Sequence, residues 1–309
     1  MKVFLECLPC IMRQALDASR MSAGDDALQS AIMKRAVKIT GDFENRRNSP
    51  EIAGAIHKMV AEMTGVTDPY REIKRKDMDT AFSLLPILRK YVCEAKNASD
   101  GIHRALKVAA AGNSLDSAVY GGGVSPDLES LIEKELGKPF ASFDGRLFES
   151  IIFARPANIL IVADNAGETV FDAVLAEKLY GISSKIFYTV REKPILNDAT
   201  IEEAVASGLS EYAEVISSGS TIPGTIVSDC NPAFRKIFNE ADIVISKGQG
   251  NFETLSDEKR GIFYLLKTKC NVLANLLGTI VNDYVFVYKE NGNEAKSLEN
   301  RNEIKSLMN

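Results

Sequence analysis

An apolar run that ends abruptly at polar side chains constrains the fold of this chain more than any other feature. Residues 159–163 read Ile-Leu-Ile-Val-Ala, and Asp164 and Asn165 follow at once. A short, continuous apolar run is typical of a strand that is buried on both faces of a parallel sheet. Open parallel sheets bind their ligands at the carboxyl ends of their strands. Asp164 and Asn165 are therefore predicted to lie where a ligand would bind.

The second part of the chain alternates short apolar runs with helical patterns, which is typical of strand–helix–strand units. Helices are expected near residues 169–180 and 199–207. Strands are predicted at residues 106–111, 158–163, 185–190, 214–217, 242–246, 271–274 and 284–288. Residues 1–105 instead show apolar positions at helical spacing. The predicted fold is α/β: an all-helical N-terminal domain (1–105), then a Rossmann-like three-layer α/β/α domain (106–309) with a mostly parallel sheet.

Composition excludes several classes of protein. The 309 residues are 45% hydrophobic and 26% charged, which is ordinary for a soluble globular protein. A net charge of -5 argues against a general nucleic-acid binder, which normally carries a basic excess. No apolar run approaches the ~20 residues that a membrane span needs. Glu6, Arg13 and Asp17 interrupt any signal-peptide pattern, so a cytoplasmic protein without a membrane partner is expected.

The five cysteines do not resemble a disulfide framework, because their number is odd and their spacing is wide. Cys7 and Cys10 form a Cys-x-x-Cys pair. A zinc site would need a second close pair, yet the others are Cys93, Cys230 and Cys270. A redox motif would need a strand–helix–strand context that is missing here. The favoured interpretation is two thiols that pack at the start of a helix.

Oxygen-bearing side chains also follow the next predicted strand. Asp198 lies in the loop after residues 185–190, and with Asp164 and Asn165 it makes an all-oxygen set that suits a hard divalent ion. Three such ligands leave about three positions of an octahedral ion for water and phosphate oxygens. Helix N-caps are the alternative, since Asp164 and either Asn197 or Asp198 precede predicted helices. Spacing alone does not separate the two interpretations.

A glycine-rich segment follows the predicted strand at residues 242–246. It reads Lys-Gly-Gln-Gly-Asn over residues 247–251, and such a segment can turn backbone N–H groups toward an anion beside a lysine. The segment lacks the ending of a P-loop and the third glycine of a dinucleotide fingerprint. A plain tight turn is the alternative. Asn113 follows the strand predicted at 106–111, ahead of a flexible glycine loop at 120–124.

Taken together, these segments resemble the metal-dependent damage-control phosphatases, also known as domain of unknown function 89. The resemblance spans nearly the whole chain in the same order, and the Cys-x-x-Cys pair fits the stand-alone microbial branch. The matching segments are Cys7–Cys10, Gly112-Asn113, Asp164-Asn-Ala-Gly-Glu168 with Phe171-Asp172, Lys193-Pro-Ile-Leu-Asn-Asp198, Ser218-Gly-Ser, Pro223-Gly-Thr225 and Lys247-Gly-Gln-Gly-Asn-Phe-Glu253.

The resemblance implies hydrolysis of small phosphate monoesters, namely damaged or unwanted phosphometabolites such as nucleotides or sugar phosphates. It implies a divalent metal (Mn²⁺, Ni²⁺, Co²⁺ or Mg²⁺) held by Asp164, Asn165 and Asp198. Residues expected to take part in catalysis are Asp164, Glu168, Asp198 and Lys247. Residues expected at the substrate are Asn113, Arg191, Lys193, Lys247, Gly248, Gly250 and Asn251. The oligomeric state is left open.

Two mechanisms and two other functions remain as alternatives. A metal-oriented water can attack the phosphoryl group with Asp198 or Glu168 as base, or Asp164 itself can attack to form an aspartyl phosphate. An S-adenosylmethionine-dependent carboxyl methyltransferase is disfavoured, because such sites usually show a glycine-rich first loop and need no metal. A non-catalytic phosphometabolite-binding protein would bind the same ligands without turnover.

Overall fold

Five helices form the N-terminal part of the chain, as the helical spacing predicted. The structure is a computed structural model that describes residues 1–114 and 128–290. The helices are α1 (Cys7–Ser22), α2 (Asp26–Gly41), α3 (Ser49–Thr64), α4 (Arg71–Cys93) and α5 (Ala98–Gly112). Side chains of Asp25, Asn48 and Asn97 accept backbone N–H groups at the starts of α2, α3 and α5. Each cap satisfies a donor that the first helical turn leaves without a partner.

A seven-stranded sheet follows. Its strands are β1 (Phe140–Phe143), β2 (Asn158–Val162), β3 (Lys185–Val190), β4 (Glu214–Ser217), β5 (Ile243–Lys247), β6 (Ile262–Lys267) and β7 (Tyr284–Lys289). The spatial order is β1-β7-β6-β5-β2-β3-β4. All neighbouring strands run parallel except β6 and β7. The expectation of a mostly parallel sheet is thus confirmed.

Helices cover both faces of the sheet. They are α5 together with α6 (Leu128–Gly137), α7 (Gly145–Ala154), α8 (Glu168–Tyr180), α9 (Ile201–Ala206), α10 (Pro232–Glu240), α11 (Gln249–Leu255) and α12 (Asn271–Leu277). Along β2, Ile159 and Ile161 pack into one apolar core, and Leu160 and Val162 pack into the other. Burial on both faces explains why residues 159–162 of this strand are all apolar. The three-layer α/β/α prediction is confirmed.

Two of the predicted strands are wrong. Residues 106–111 belong to α5, whose last turns are buried on every side, and burial all round removes the polar stripe that marks a helix in sequence. The expected domain boundary at residue 105 falls inside this helix. Residues 271–274 start α12, which ends at Gly278 in the left-handed region. Strands β1 and β6 are present but were not predicted. The loop expected at 120–124 lies outside the described residues.

The connections of β2 place the expected ligand-binding crevice at the carboxyl end of the sheet. The chain passes from β2 to β3 and β4 on one side, and β5 then pairs with the opposite edge of β2. The carboxyl ends of β2 and β5 therefore border the point at which the strand order reverses, which is where such sheets bind ligands. Within residues 1–114 and 128–290, no helix is long and apolar enough to cross a membrane.

Candidate metal and phosphate site

The structure brings together the three side chains that were predicted to hold a metal. Asp164 and Asn165 follow β2, and the segment after β3 folds back against them. The backbone N–H of Ala199 donates to the Asp164 carbonyl (2.8 Å), and that of Ala166 donates to the Asn197 carbonyl (2.8 Å). Asn165 and Asp198 pair as an isolated antiparallel bridge. This short pairing explains how residues 33 positions apart in the chain (198 − 165) come to share one crevice.

The helix-cap interpretation of these side chains is wrong. The N-cap of α8 is Gly167, with no side-chain hydrogen bond. The N-cap of α9 is Thr200, which forms a capping box with Glu203. Asp164, Asn197 and Asp198 are therefore not the N-cap residues of these two helices. Another account is needed for their presence at the end of the sheet.

Asp164 forms no ion pair within 4 Å among the described residues, although the positive charges of Lys269 and Arg191 act on it from farther away and oppose the rise in its pKa. It accepts the side-chain N–H groups of Asn113 (3.2 Å) and Asn165 (3.4 Å). Burial raises the pKa of Asp164 well above its ordinary value, and the negative charges of Glu168 and Asp198 raise it further. A divalent cation is the kind of ligand that would offset this excess negative charge.

The amide of Asn165 is needed to complete a metal-ligand set. In the part of the chain that the structure describes, no three His, Cys, Asp or Glu side chains are grouped so that they could hold a metal ion. The predicted set is instead two carboxylates, from Asp164 and Asp198, with the amide oxygen of Asn165 between them in the chain. Such an all-oxygen set fits Mg²⁺ or Mn²⁺.

A buried ion triad lies behind this set. The Lys247 ammonium donates to Glu168 Oε2 (2.7 Å) and to Asp172 Oδ1 (2.7 Å), and none of the three side chains exceeds 1% exposure. Burial raises the pKa of Asp172 to about 6, although Lys247 opposes the shift. Burial lowers the pKa of Lys247, but the two carboxylates outweigh it and hold that pKa above its ordinary value. Lys247 is thus engaged inside the protein.

Asp172 also lies at the site, although it is not among the predicted site residues. Its signal is present in the sequence, because Glu168 and Asp172 are four positions apart on α8 and therefore share one helix face. The Tyr188 hydroxyl donates to Asp172 Oδ2 (2.8 Å). Both carboxylate oxygens of Asp172 consequently have buried partners.

A second buried network orients Asp198. Arg191 donates from Nε to Asp198 Oδ2 (2.7 Å), from one terminal nitrogen to Thr225 Oγ1 (2.8 Å), and from the other to Asn251 Oδ1 (3.1 Å). Asn251 Nδ2 donates to the carbonyls of Ala163 and Lys247 (2.8 Å each), and Asn251 Oδ1 also accepts from Thr225 (2.9 Å). Both polar atoms of the Asn251 side chain are thus used internally. Arg191 and Asn251 hold the strand ends and Asp198 in place.

Asn113 and Lys193 were also expected at the substrate. Asn113 is the C-cap of α5, and its Nδ2 donates to both Asp164 and Glu168. It therefore lies at the site, although it follows a helix and not the predicted strand. Lys193 is exposed on the loop after β3. The structure does not bring it into the buried cluster.

The turn between β5 and α11 packs directly against Asp164. Gly248 has φ +76°, and a Cβ added there would lie 1.8 Å from Asp164 Oδ2. A Cβ on Gly250 would lie 2.2 Å from the Pro223 carbonyl oxygen. The Gly248 N–H donates to the Leu265 carbonyl (3.2 Å), so this amide is occupied in the sheet. Gly248 therefore permits the backbone to lie close to the Asp164 carboxylate. The plain-turn interpretation does not account for that close approach.

Replacing Gly248 with alanine should lower activity at least tenfold, because the new methyl group must displace the Asp164 carboxylate. Gly208 controls for a positive φ without a steric contact, since its φ is +83° and no atom lies within 4 Å of an added Cβ, although its ψ of 5° differs from the 171° of Gly248. Gly208→Ala carries only the backbone strain of about 1–2 kcal/mol. Steady-state kinetics and urea unfolding of both variants separate the two effects. Equal activities in the two variants would show that the contact with Asp164 is unimportant.

Removing both Cys7 and Cys10 should leave turnover within about tenfold of the parent. Both thiols are free and lie in the first turn of α1, with Cys7 partly buried and Cys10 exposed. Although the residue is exposed overall, the surrounding protein partly desolvates the Cys10 thiol; this desolvation, followed by the charge of Glu253, raises the pKa of Cys10 and disfavours the reactive thiolate. Kinetics of the double alanine variant test this. Complete loss of turnover in a protein that still unfolds cooperatively would establish a chemical role for the pair.

Comparisons with known proteins identify the family of this chain. The family model for the damage-control phosphatase ARMT1-like domain matches residues 3–285. A damage-control phosphatase from Pyrococcus horikoshii is 38% identical over 282 residues, covering 90% of this chain and 94% of that protein. An uncharacterised protein from Methanocaldococcus jannaschii is 34% identical over 295 residues, covering 93% and 95%. A damage-control phosphatase from Archaeoglobus fulgidus is 28% identical over 289 residues, covering 92% and 98%.

A solved structure has the same fold. The crystal structure of a DUF89 family protein from Pyrococcus horikoshii superimposes with a TM-score of 0.83 at 34% identity, and the match covers 93% of this chain and 99% of that one. The family model and these relatives span both the N-terminal helices and the sheet. The chain therefore belongs to the damage-control phosphatase family, also called domain of unknown function 89.

Proposed function

We propose that this protein is a metal-dependent phosphatase that hydrolyses small phosphate monoesters, in particular damaged or unwanted phosphometabolites such as nucleotides or sugar phosphates. One observation carries the proposal. Asp164 lies buried at the carboxyl end of β2 in no ion pair of the described residues, and the negative charges of Glu168 and Asp198 act on it more strongly than the positive charges of Lys269 and Arg191. The names of the relatives support phosphate ester hydrolysis as the reaction.

Asp164, Asn165 and Asp198 would hold the metal, and Mn²⁺, Ni²⁺, Co²⁺ and Mg²⁺ are the candidates. Such an ion, when bound, polarises a phosphoryl oxygen and lowers the pKa of a water molecule. The donor set supports the assignment because carboxylate and amide oxygens are the ligands that hard divalent ions prefer.

The protein's own groups supply orientation and proton transfer. Arg191 fixes Asp198 through Oδ2, and in the proposed reaction Asp198 accepts the proton of the attacking water. Glu168 is less suited to this role, because Oε1 already accepts two amide N–H groups and Oε2 accepts the Lys247 ammonium. Asn113 reaches the same crevice and would orient the substrate from the end of α5.

A phosphate-release assay tests the proposal. The metal-stripped protein is supplied with Mn²⁺, Ni²⁺, Co²⁺ or Mg²⁺ and assayed with sugar phosphates, nucleotides and phosphopantetheine derivatives. Release that requires an added metal and is lost with chelator is the expected result. If the protein binds these compounds but releases no phosphate with any of the metals, hydrolysis is contradicted. The alternative of a non-catalytic phosphometabolite-binding protein would then be favoured. Metal-independent release would contradict the role of Asp164, Asn165 and Asp198.

A further inference from the structure

Glu168 is the acceptor on which three donors of the site converge. Its Oε1 accepts the side-chain N–H groups of Asn165 (2.8 Å) and Asn113, and its Oε2 accepts the Lys247 ammonium (2.7 Å). The side chain is 1% exposed. All of its hydrogen-bonding neighbours are therefore fixed parts of the protein. Such a carboxylate is well placed to orient other groups.

The contact between Glu168 and Asn165 selects one of two orientations of an amide. An ionised carboxylate only accepts hydrogen bonds, so the part of the Asn165 amide that lies against Glu168 must be its NH₂ group. The amide oxygen then points away from Glu168, and the same NH₂ group also donates to Asp164 Oδ2 at the longer distance of 3.4 Å. A carboxylate contacts the NH₂ group of an amide, whereas a metal ion binds the amide oxygen and is repelled by the NH₂ protons. The orientation at Asn165 thus decides whether this residue can be a ligand.

We propose that Glu168 is a positioning residue that holds the Asn165 amide with its oxygen available to the metal. The inference rests on the proposed function and deepens it, because it assigns to Glu168 a role different from that of a base. Lys247 completes the arrangement. By occupying Oε2 it leaves Oε1 facing the two asparagines.

The Glu168→Gln substitution should reverse this selection. The Lys247 ammonium remains and has only acceptors as possible partners, so the oxygen of the new amide is expected to turn toward it. The new NH₂ group then faces Asn165, which favours an Asn165 amide turned by 180°. Partners that orient metal ligands typically contribute 10–100-fold to metal affinity. We therefore expect Glu168→Gln to weaken Mn²⁺ binding at least tenfold, measured by calorimetry or by electron paramagnetic resonance of free Mn²⁺.

The Asn165→Asp background isolates the orientation effect. A carboxylate at position 165 has two equivalent oxygens, so it has no orientation to select, and an NH₂ group from position 168 is a favourable partner for it. In that background Glu168→Gln should leave Mn²⁺ affinity unchanged or increase it. An equal loss in both backgrounds would mean that Glu168 acts through its charge alone and would overturn the proposal. So would unchanged affinity in the parent background. The exposed Glu202→Gln substitution controls for a change in net charge.

Kinetics distinguish positioning from general-base catalysis. If Glu168 positions Asn165, kcat of Glu168→Gln at saturating Mn²⁺ should recover to within about tenfold of the parent, since the reaction then proceeds with the ligand restored. If Glu168 is the base, Mn²⁺ affinity stays normal and kcat remains low at every Mn²⁺ concentration. A parent protein that binds no Mn²⁺ would overturn the proposed function itself. A parent that binds Mn²⁺ normally beside an unaffected Glu168→Gln variant would overturn only the positioning role.

Folding of the variant is expected, because Lys247 keeps Asp172 as a partner (2.7 Å) when the charge at position 168 is removed. If the Glu168→Gln variant does not fold, a measurement on the parent protein tests the proposal instead. The side-chain NH₂ protons of Asn165, identified by nuclear magnetic resonance, should exchange with solvent more slowly than those of exposed asparagines. Exchange as fast as that of surface amides would contradict the hydrogen bond on which the proposal rests.

Discussion

Replacing Asp164 with alanine should reduce metal-dependent phosphate release to background while leaving a folded protein. Loss of one preorganised electrostatic group typically lowers kcat by about 10²–10³-fold, and loss of a metal ligand removes the ion as well. Stability should not fall, because burial and two neighbouring carboxylates already disfavour the ionised form of Asp164 in the folded state. A group whose folded pKa is raised in this way favours unfolding at neutral pH when it is ionised.

Phosphate release at saturating Mn²⁺ and urea unfolding measure the two effects. Asp164→Asn is the companion variant, since it keeps the shape and the acceptor oxygen of the side chain but removes its charge. Full activity of Asp164→Ala would refute the metal assignment. Loss of cooperative unfolding would show instead that Asp164 is structural, which is the outcome that the proposal excludes.

The sequence predicted the sheet well where strands are buried on both faces. Mostly apolar runs identified β2, β3 and β5, whose few polar residues lie at or near the strand ends. A similar run misled the prediction at α5, because its last turns, Lys107 included, are buried all round like a central strand. Strand length and helix length overlap in so short a run. Tertiary burial, which no local pattern encodes, decided between them.

The residues of the site were easier to predict than their partners. Strand ends placed Asp164, Asn165 and Lys247 in one crevice, because the carboxyl ends of parallel strands meet at one edge. The direction of the Lys247 ammonium depends on Glu168 and Asp172, which lie 79 and 75 positions away in the chain. From the sequence alone, Lys247 was predicted to bind phosphate, because the sequence pattern pointed to no other anion near it. The fold supplies two buried carboxylates that a pattern of strand ends cannot locate.

The distribution of charge follows from these partners. Two buried cations bind the neighbouring carboxylates. Lys247 pairs with Glu168 and Asp172, and Arg191 pairs with Asp198. Neither ion pair includes Asp164. A buried charge without a partner is expensive unless a ligand compensates for it. Lys247 and Arg191 thus pair with Glu168, Asp172 and Asp198, whereas Asp164 is in no ion pair of the described residues, and the proposed metal ion would offset its charge.

Lys247→Met should destabilise the protein by about 3–5 kcal/mol, the usual effect of removing one partner from a buried ion pair. Methionine has a similar length and no charge, so Glu168 and Asp172 would remain as two buried carboxylates without their cation. Turnover at subsaturating Mn²⁺ should also fall strongly, because Glu168 loses the donor that fixes Oε2 and then orients Asn165 less firmly. Urea unfolding, and phosphate release over a range of Mn²⁺ concentrations, give the two measurements. If the segment at 247–251 were only a connecting turn, both would stay near parental values.

A second substitution separates charge from packing in this result. Asp172→Asn, added to Lys247→Met, removes one of the two uncompensated carboxylates and keeps an oxygen that can accept from the Tyr188 hydroxyl (2.8 Å to Oδ2 in the parent). Burial already raises the pKa of Asp172 to about 6, so neutralising this group should be favourable once Lys247 is absent. The double variant is therefore expected to be more stable than Lys247→Met alone. A further loss of stability, additive with the first, would mean that Lys247 contributes through packing and not through its charge.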